Sequence, residues 1–411
     1  MKRRTQPWKV FGVVAALLVI TVPLAIGAEG ESLQHLASAT TGFALDLFHE
    51  VSDGSQNVFF SPLSVSIALS MLSAGAEGAT LEQLAELLQL GDEAEWVHGA
   101  YSDLLLLLNG FAELPDEFGQ GFALDLANSL WLQDTFPFEP TFVDTIERSY
   151  GGEVALLDFN ADPEGARQTI NGWVSEKTRD RIQELLAPGT VDAGTVLALV
   201  NAISFDAPWF FPFEEEATEP KPFTLLDGST IVVDTMHDVR SVDYVSGDGF
   251  QAIELEYRAD DVVMDIILPD SGQFGAIHDQ LTAEKLQDIF DALTYERVAL
   301  ALPKFSFGWD AELNEPLKSL GMVDAFGPEA GFARLTQEKP FFVSLVVHQA
   351  NVSVSEIGTE AAAATAILAF GSGILEPPEP IPFKIDRPFL IVIRETTTGT
   401  ILFLGVVVDP S

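Results

Sequence analysis

Apolar side chains recur along this chain at helical spacing in much of its first half and by strict alternation in much of its second. Leu33, Leu36, Ala37, Phe43, Ala44, Leu47 and Phe48 predict a helix over residues 32–51. Ser61 followed by Pro62 reads as a cap and first-turn proline, opening a helix that Gly75 stops. Its Ser64, Ser66 and Ser70 are unusual in so apolar a segment, and buried hydroxyls need partners. Thr80 and Gln83 have the spacing of a capping box for a helix over 80–90. Further helices are expected over 94–108, 140–150, 163–186, 282–293 and 311–320. Strands are expected over 122–132, 154–159, 252–257, 262–268, 298–307, 342–354, 389–394 and 400–408, with a hairpin over 223–233 turning at Asp227-Gly228. The run 196–205 is apolar on both alternations, as a central strand covered on both faces must be.

The pattern fails in one place. After the alternating Asn351, Val352, Ser353, Val354 and Ser355 come Gly358, Thr359 and Glu360, then Ala361, Ala362, Ala363, Ala364 and Thr365, and then a tract with Gly371, Gly373 and four prolines. On composition this is a flexible alanine-rich loop. Alanine also costs almost nothing to bury, so the same residues could slide between two strands without needing pockets.

The chain has 411 residues, 47% of them hydrophobic, which suits a folded body despite a formal charge of −41. Lys2, Arg3, Arg4 and Lys9 followed by an apolar run to Gly27-Ala28 read as a signal peptide over residues 1–28, with an uncleaved anchor as the alternative. Its removal takes away four bases and no acid. An acidic chain without a basic stripe disfavours nucleic acid, heparin-like polymers and anionic lipid as partners. With no cysteine, thiol catalysis, zinc–thiolate sites and disulfides are excluded. No repeat and no long linker divides the remainder, so residues 29–411 read as one α+β domain.

No G-x-S-x-G elbow, phosphate-binding loop or H-E-x-x-H is present. The tripeptide Gly371-Ser372-Gly373 has no helix after it, and a serine needs a positioned base and an oxyanion hole to act. His348 on its apolar strand reads as a core residue able to bond at both ring nitrogens, and Glu214-Glu215-Glu216 as a solvated charge run. No metal and no cofactor is called for.

Four segments, in order, resemble the serpin family of serine protease inhibitors: NVFFSPLSVSIALSMLSAGAEGAT at 57–80, LVNAISFDAPWFFPF at 199–213, EIGTEAAAATA at 356–366 and RPFLIVIRETTTGTILFLGVVVDP at 387–410. The resemblance, to a secreted member of bacterial or archaeal type, implies a metastable fold of three β-sheets and about eight or nine helices, with an exposed reactive-centre loop near 357–382. It implies a suicide substrate: a serine protease cleaves the loop as an acyl-enzyme, and the freed hinge (Glu356, Gly358, Thr359, Glu360, Ala361 to Ala364, Thr365) inserts as a strand in the central sheet. Ser61, Ser64, Asn201 and His348 fall at the family's shutter, and Trp209, Lys304 and Glu356 at its breach, with Lys304 expected to pair with Glu356. Ile357 departs from the family, which commonly has an acid before the hinge glycine. Counting about fourteen residues past Gly358 places the scissile bond at Ser372-Gly373, with Phe370, Ile374 and Leu375 as alternatives within the error of the count. All are neutral, which points to an elastase-, subtilisin- or chymotrypsin-like target for a monomeric, secreted or surface-anchored inhibitor. A non-inhibitory carrier and a secreted hydrolase are the competing readings. Thr359 is expected to enter the sheet first, so Thr359→Arg should convert an inhibitor into a substrate. An unchanged ratio of covalent complex to cleaved protein on denaturing gels would refute insertion.

Overall fold

The computed structural model describes residues 28–91, 94–112, 122–258, 261–338, 340–359 and 379–411. The chain runs α1 (Ala28–Val51), β1 (Val58–Phe60), α2 (Pro62–Ala74), α3 (Gly78–Leu87), α4 (Val97–Ala112), β2 (Ala123–Gln133), α5 (Pro140–Tyr150), β3 (Glu153–Leu157) and α6 (Pro163–Lys177). It continues through β4 (Leu197–Pro208), β5 (Glu219–Thr224), β6 (Thr230–Gly247), β7 (Phe250–Glu256), β8 (Val262–Pro269), α7 (Phe274–Asp279), α8 (Ala283–Ala292), β9 (Thr294–Pro303), β10 (Phe305–Glu312) and α9 (Asn314–Ser319). Last come β11 (Leu345–Val354), β12 (Gly358–Thr359), β13 (Ile381–Lys384), β14 (Phe389–Glu395) and β15 (Ile401–Val407).

Among the described residues these strands form a six-stranded sheet, ordered β10-β11-β12-β4-β2-β3, and a nine-stranded one. The larger sheet has two wings joined through the long β6, which pairs with β5 and β9 along its first part and with β7 at its end. Two of the three expected sheets are therefore continuous through one strand, and the helices number nine among the described residues.

The six-stranded sheet is covered on both faces, and β4 shows why both of its alternations are apolar. Leu197, Leu199, Ile203 and Phe205 belong to the main core with α2, whereas Ala198, Val200 and Ala202 face Ile170 and Val174 of α6. Helix α2 lies beneath this sheet, buried from Pro62 to Ser73. Ser61 caps it by accepting the Ser64 N–H at 3.1 Å. Two of its buried serines bond within the helix, Ser66 Oγ and Ser73 Oγ donating to the carbonyls three residues back, and the Tyr101 hydroxyl donates to Ser66 Oγ at 2.8 Å.

Four expectations are corrected. Thr80 and Gln83 make no capping box: α3 starts earlier, Thr80 Oγ1 accepts the Gly331 N–H, and Gln83 Oε1 accepts the N–H groups of Val323 and Asp324. Tertiary donors outcompete the helix's own. The helix expected over 163–186 ends at Lys177, because Arg179 and Asp180 adopt left-handed backbone with φ of 51° and 63°. The single strand expected over 298–307 is two strands, β9 in the larger sheet and β10 in the smaller, parted at Lys304. The helix expected over 311–320 shrinks to α9, since Ala311 and Glu312 continue β10 in register with His348 and Val347.

Candidate functional site

The expected hinge begins inside the sheet. Strands β11 and β4 pair in parallel from Leu345 with Ala198 to Ala350 with Ile203, and beyond that point the short β12 lies between them. Thr359 is antiparallel to Val354 on one side and to Ala207 on the other, and is wholly buried. Thr359 was expected to be the first residue to enter. It has already entered. Gly358 permits this: a Cβ there would lie 2.2 Å from the Ala207 carbonyl oxygen and 2.6 Å from Pro208 Cα, so only glycine lets the backbones approach.

The root of this segment is tied to the strand-to-strand turn after β4. Trp209 donates its backbone N–H to Ile357 O at 2.8 Å and its indole N–H to Ser355 O at 3.0 Å, and Phe213 donates its backbone N–H to Glu356 O at 2.7 Å. The Glu356 carboxylate takes Lys304 Nζ at 2.9 and 3.0 Å and the Thr218 hydroxyl at 2.8 Å. Burial pushes this carboxyl up, but Lys304, a backbone donor and Thr218 together outweigh it and hold it below the usual range. The expected Lys304–Glu356 pair is present, and the break between β9 and β10 is what places Lys304 to make it.

The residues expected at the shutter meet one layer deeper. His348 on β11 and Asn201 on β4 are register partners, and Asn128 on β2 is the register partner of Asn201. His348 Nε2 accepts the Ser61 N–H at 3.1 Å, so the ring proton sits on Nδ1, which donates to Asn201 Oδ1. The Asn201 amide donates in turn to Ser64 Oγ and to Asn128 Oδ1, and Ser64 Oγ also reaches Asn128 Oδ1 at 3.4 Å. This network clamps three strands to the N-terminus of α2. Burial holds the His348 imidazole neutral, with its pKa lowered to about 3.

Glu360, Ala361, Ala362, Ala363, Ala364, Thr365, Phe370, Ser372, Gly373, Ile374 and Leu375 lie outside the described residues. Three site residues were missed in the sequence: Asn128, Thr218 and Tyr257, whose hydroxyl meets Thr359 Oγ1 at 2.6 Å. Asn128 carried a signal, a polar side chain in an apolar strand facing α2; Thr218 and Tyr257 carried none. Glu214, Glu215 and Glu216 are exposed as expected. One arrangement has hydrolase-like spacing, Ser52 Oγ to His278 Nε2 at 3.0 Å and His278 Nδ1 to Asp279 Oδ1 at 2.9 Å. Ser52 is only 5% exposed and its Oγ accepts the Gly54 N–H at 3.3 Å, so the relay fastens the end of α1 to α7 instead of facing a substrate.

Residues 38–410 match the family model Serpin (serine protease inhibitor). The chain is 37% identical over 389 residues to leukocyte elastase inhibitor of Sus scrofa, covering 92% of this chain and 100% of that one. It is 35% identical to an uncharacterized serpin-like protein of Thermococcus kodakarensis, covering 93% of this chain and 87% of the other. Human thyroxine-binding globulin complexed with thyroxine superimposes with a TM-score of 0.83 at 28% identity, over 92% of this chain and 100% of that one.

The shutter makes a pH prediction. Below about pH 6.5 the unfolded chain protonates His348, while the folded protein refuses that proton until about pH 3. Stability is therefore full above that window and falls as the pH drops through it. Denaturant titrations at pH 7, 6, 5 and 4 should show this decline, and His348→Gln should be less stable at pH 7 with a shallower slope. Parallel slopes for the two proteins would assign the decline to other groups.

Proposed function

The chain belongs to the serpin family, and on that premise we propose that it is a suicide-substrate inhibitor of an elastase-, subtilisin- or chymotrypsin-like serine endopeptidase. The protease serine attacks the carbonyl of Ser372, the Gly373 amine leaves, and the acyl-enzyme ester is carried off as the hinge inserts before water can hydrolyse it. Residues 1–28 act as an export signal and residues 29–411 as the single inhibitory domain, a reading supported by the basic start and apolar run of the sequence.

The observation that carries this reading is the seat of Thr359 between two strands that are parallel below it. Extending its two registers downward puts Glu360, Ala361 and Ala362 opposite Ser353, Val352 and Asn351 on β11, and opposite Asp206, Phe205 and Ser204 on β4. From Ala363 onward each residue must displace one existing β11–β4 pair, beginning with Ala350 and Ile203. Both registers then name the same partner at every step. Thr365 arrives between His348 and Asn201, so insertion past that point must break their hydrogen bond and replace it with the small, hydroxyl-bearing Thr365.

Parity explains the composition of the hinge. Thr359 points into the core, so Ala361, Ala363 and Thr365 share its inward face, and Glu360, the lone charge among them, falls on the outer face. Insertion exchanges one short parallel ladder for two antiparallel ones. With about ten residues entering at about 0.5 to 1.5 kcal/mol net per hydrogen bond gained, the release is on the order of 10 kcal/mol, comparable to the stability of a domain.

A carrier role is the second reading, supported by the likeness to thyroxine-binding globulin. Loop cleavage separates the two. Nicking the loop should raise the melting temperature by tens of degrees in an inserting inhibitor, on the usual scale of about 4 °C or less per kcal/mol in a large domain, and leave a carrier with a static loop unchanged. A panel of serine proteases, scored for complexes stable in SDS with the cut located by mass spectrometry, should trap a protease that cleaves after a neutral residue near Ser372. Cleavage without complex by every member would refute the reading. Among variants, Ala361→Arg and Ala363→Arg should cut the complex fraction at least tenfold, whereas Glu360→Arg, beside Asp206 on the outer face, should keep most of it. Equal loss in all three would refute the register.

A further inference from the structure

We propose that the Tyr257 hydroxyl is a latch that holds Thr359 in the sheet of the uncleaved protein, so that insertion elongates a strand already begun. This rests on the inhibitory reading and adds a positioning residue to it.

Tyr257 directly follows β7 of the other sheet, and its side chain is buried. Its ring stacks on the indole of Trp209, with centroids 4.5 Å apart and planes 10° from parallel, and meets Phe205 edge-on at 5.1 Å. Its backbone is bridged to Trp209, with Phe210 N–H donating to Glu256 O and Arg258 N–H to Pro208 O, both at 2.9 Å. The phenol cannot swing away, and its hydroxyl is aimed at one point. There it meets Thr359 Oγ1 at 2.6 Å, with both residues buried.

The pairing has a directional consequence. Withdrawing Thr359 leaves a buried tyrosine hydroxyl without the partner this geometry gives it, a state that buried polar groups avoid. Trp209 holds the other end of the device: it donates to Ile357 and Ser355 and stacks on Tyr257, so one aromatic pair grips the hinge from its root to its first inserted residue. Starting a strand between two others orders backbone before most of its ladder bonds exist, whereas adding to a seated residue gains bonds at each step. A latched Thr359 thus speeds insertion relative to deacylation of the acyl-enzyme.

The test is a double-mutant cycle of Tyr257→Phe and Thr359→Val, each of which removes one hydroxyl and keeps the bulk. In the full-length uncleaved protein, amide hydrogen exchange at residues 357–359 needs no protease. The wild type should be protected there, each single variant should exchange about three- to tenfold faster, the factor one net hydrogen bond supplies, and the double variant should match the singles. The stoichiometry of inhibition, measured with a trapped protease, should rise in the same non-additive way, while the melting temperature of the cleaved, inserted form should differ little among the four proteins. Rapid exchange at Thr359 in the wild type, or effects of the two substitutions that simply multiply, would overturn the latch. Failure of every protease to form a complex would overturn the inhibitory reading and leave the exchange result standing.

Discussion

The molecule is governed by a backbone ladder that stops partway. Strands β11 and β4 pair through Ala350 and Ile203, and above that Thr359 stands between them, so the six-stranded sheet is closed at one end and wedged at the other. Backbone groups inside a covered sheet must be paired, and a strand entering the wedge supplies pairing on both of its edges at once. The glycine at 358 is a consequence of this constraint, because a Cβ there would run into the backbone of Ala207 and Pro208.

Two polar assemblies bracket the wedge. At the rim, Glu356 is held by Lys304 and Thr218 and fixes the root of the hinge. At depth, His348, Asn201, Asn128, Ser64 and Ser61 join three strands to a helix cap. A buried network of this kind is costly when only partly satisfied. Under the proposed insertion, Thr365 is the residue that both strand registers would bring to it.

Much of this was legible locally. The cap at Ser61 with Pro62 and the stop at Gly75 located α2 to the residue, because they act through neighbours in the chain. The doubly apolar run near Val200 announced a strand buried on both faces, and α6 on one side with α2 on the other proved to be the cover. The errors were tertiary overrides. Thr80 and Gln83 have the spacing of a capping box but spend their side chains on Gly331, Val323 and Asp324, and an alternating run through Lys304 conceals a change of sheet.

The sequence by itself determined most of the elements, the likeness to serpins and the small-residue character of the hinge, because helical and strand periods, caps and side-chain volume are properties of neighbouring residues. Only the tertiary structure decided that Thr359 is already seated, that Asn128 completes the shutter, and that Tyr257, 102 residues away in the chain, reaches the hinge. Which strands become neighbours, and in what register, depends on packing among segments far apart in the chain. No local pattern in a single sequence records that.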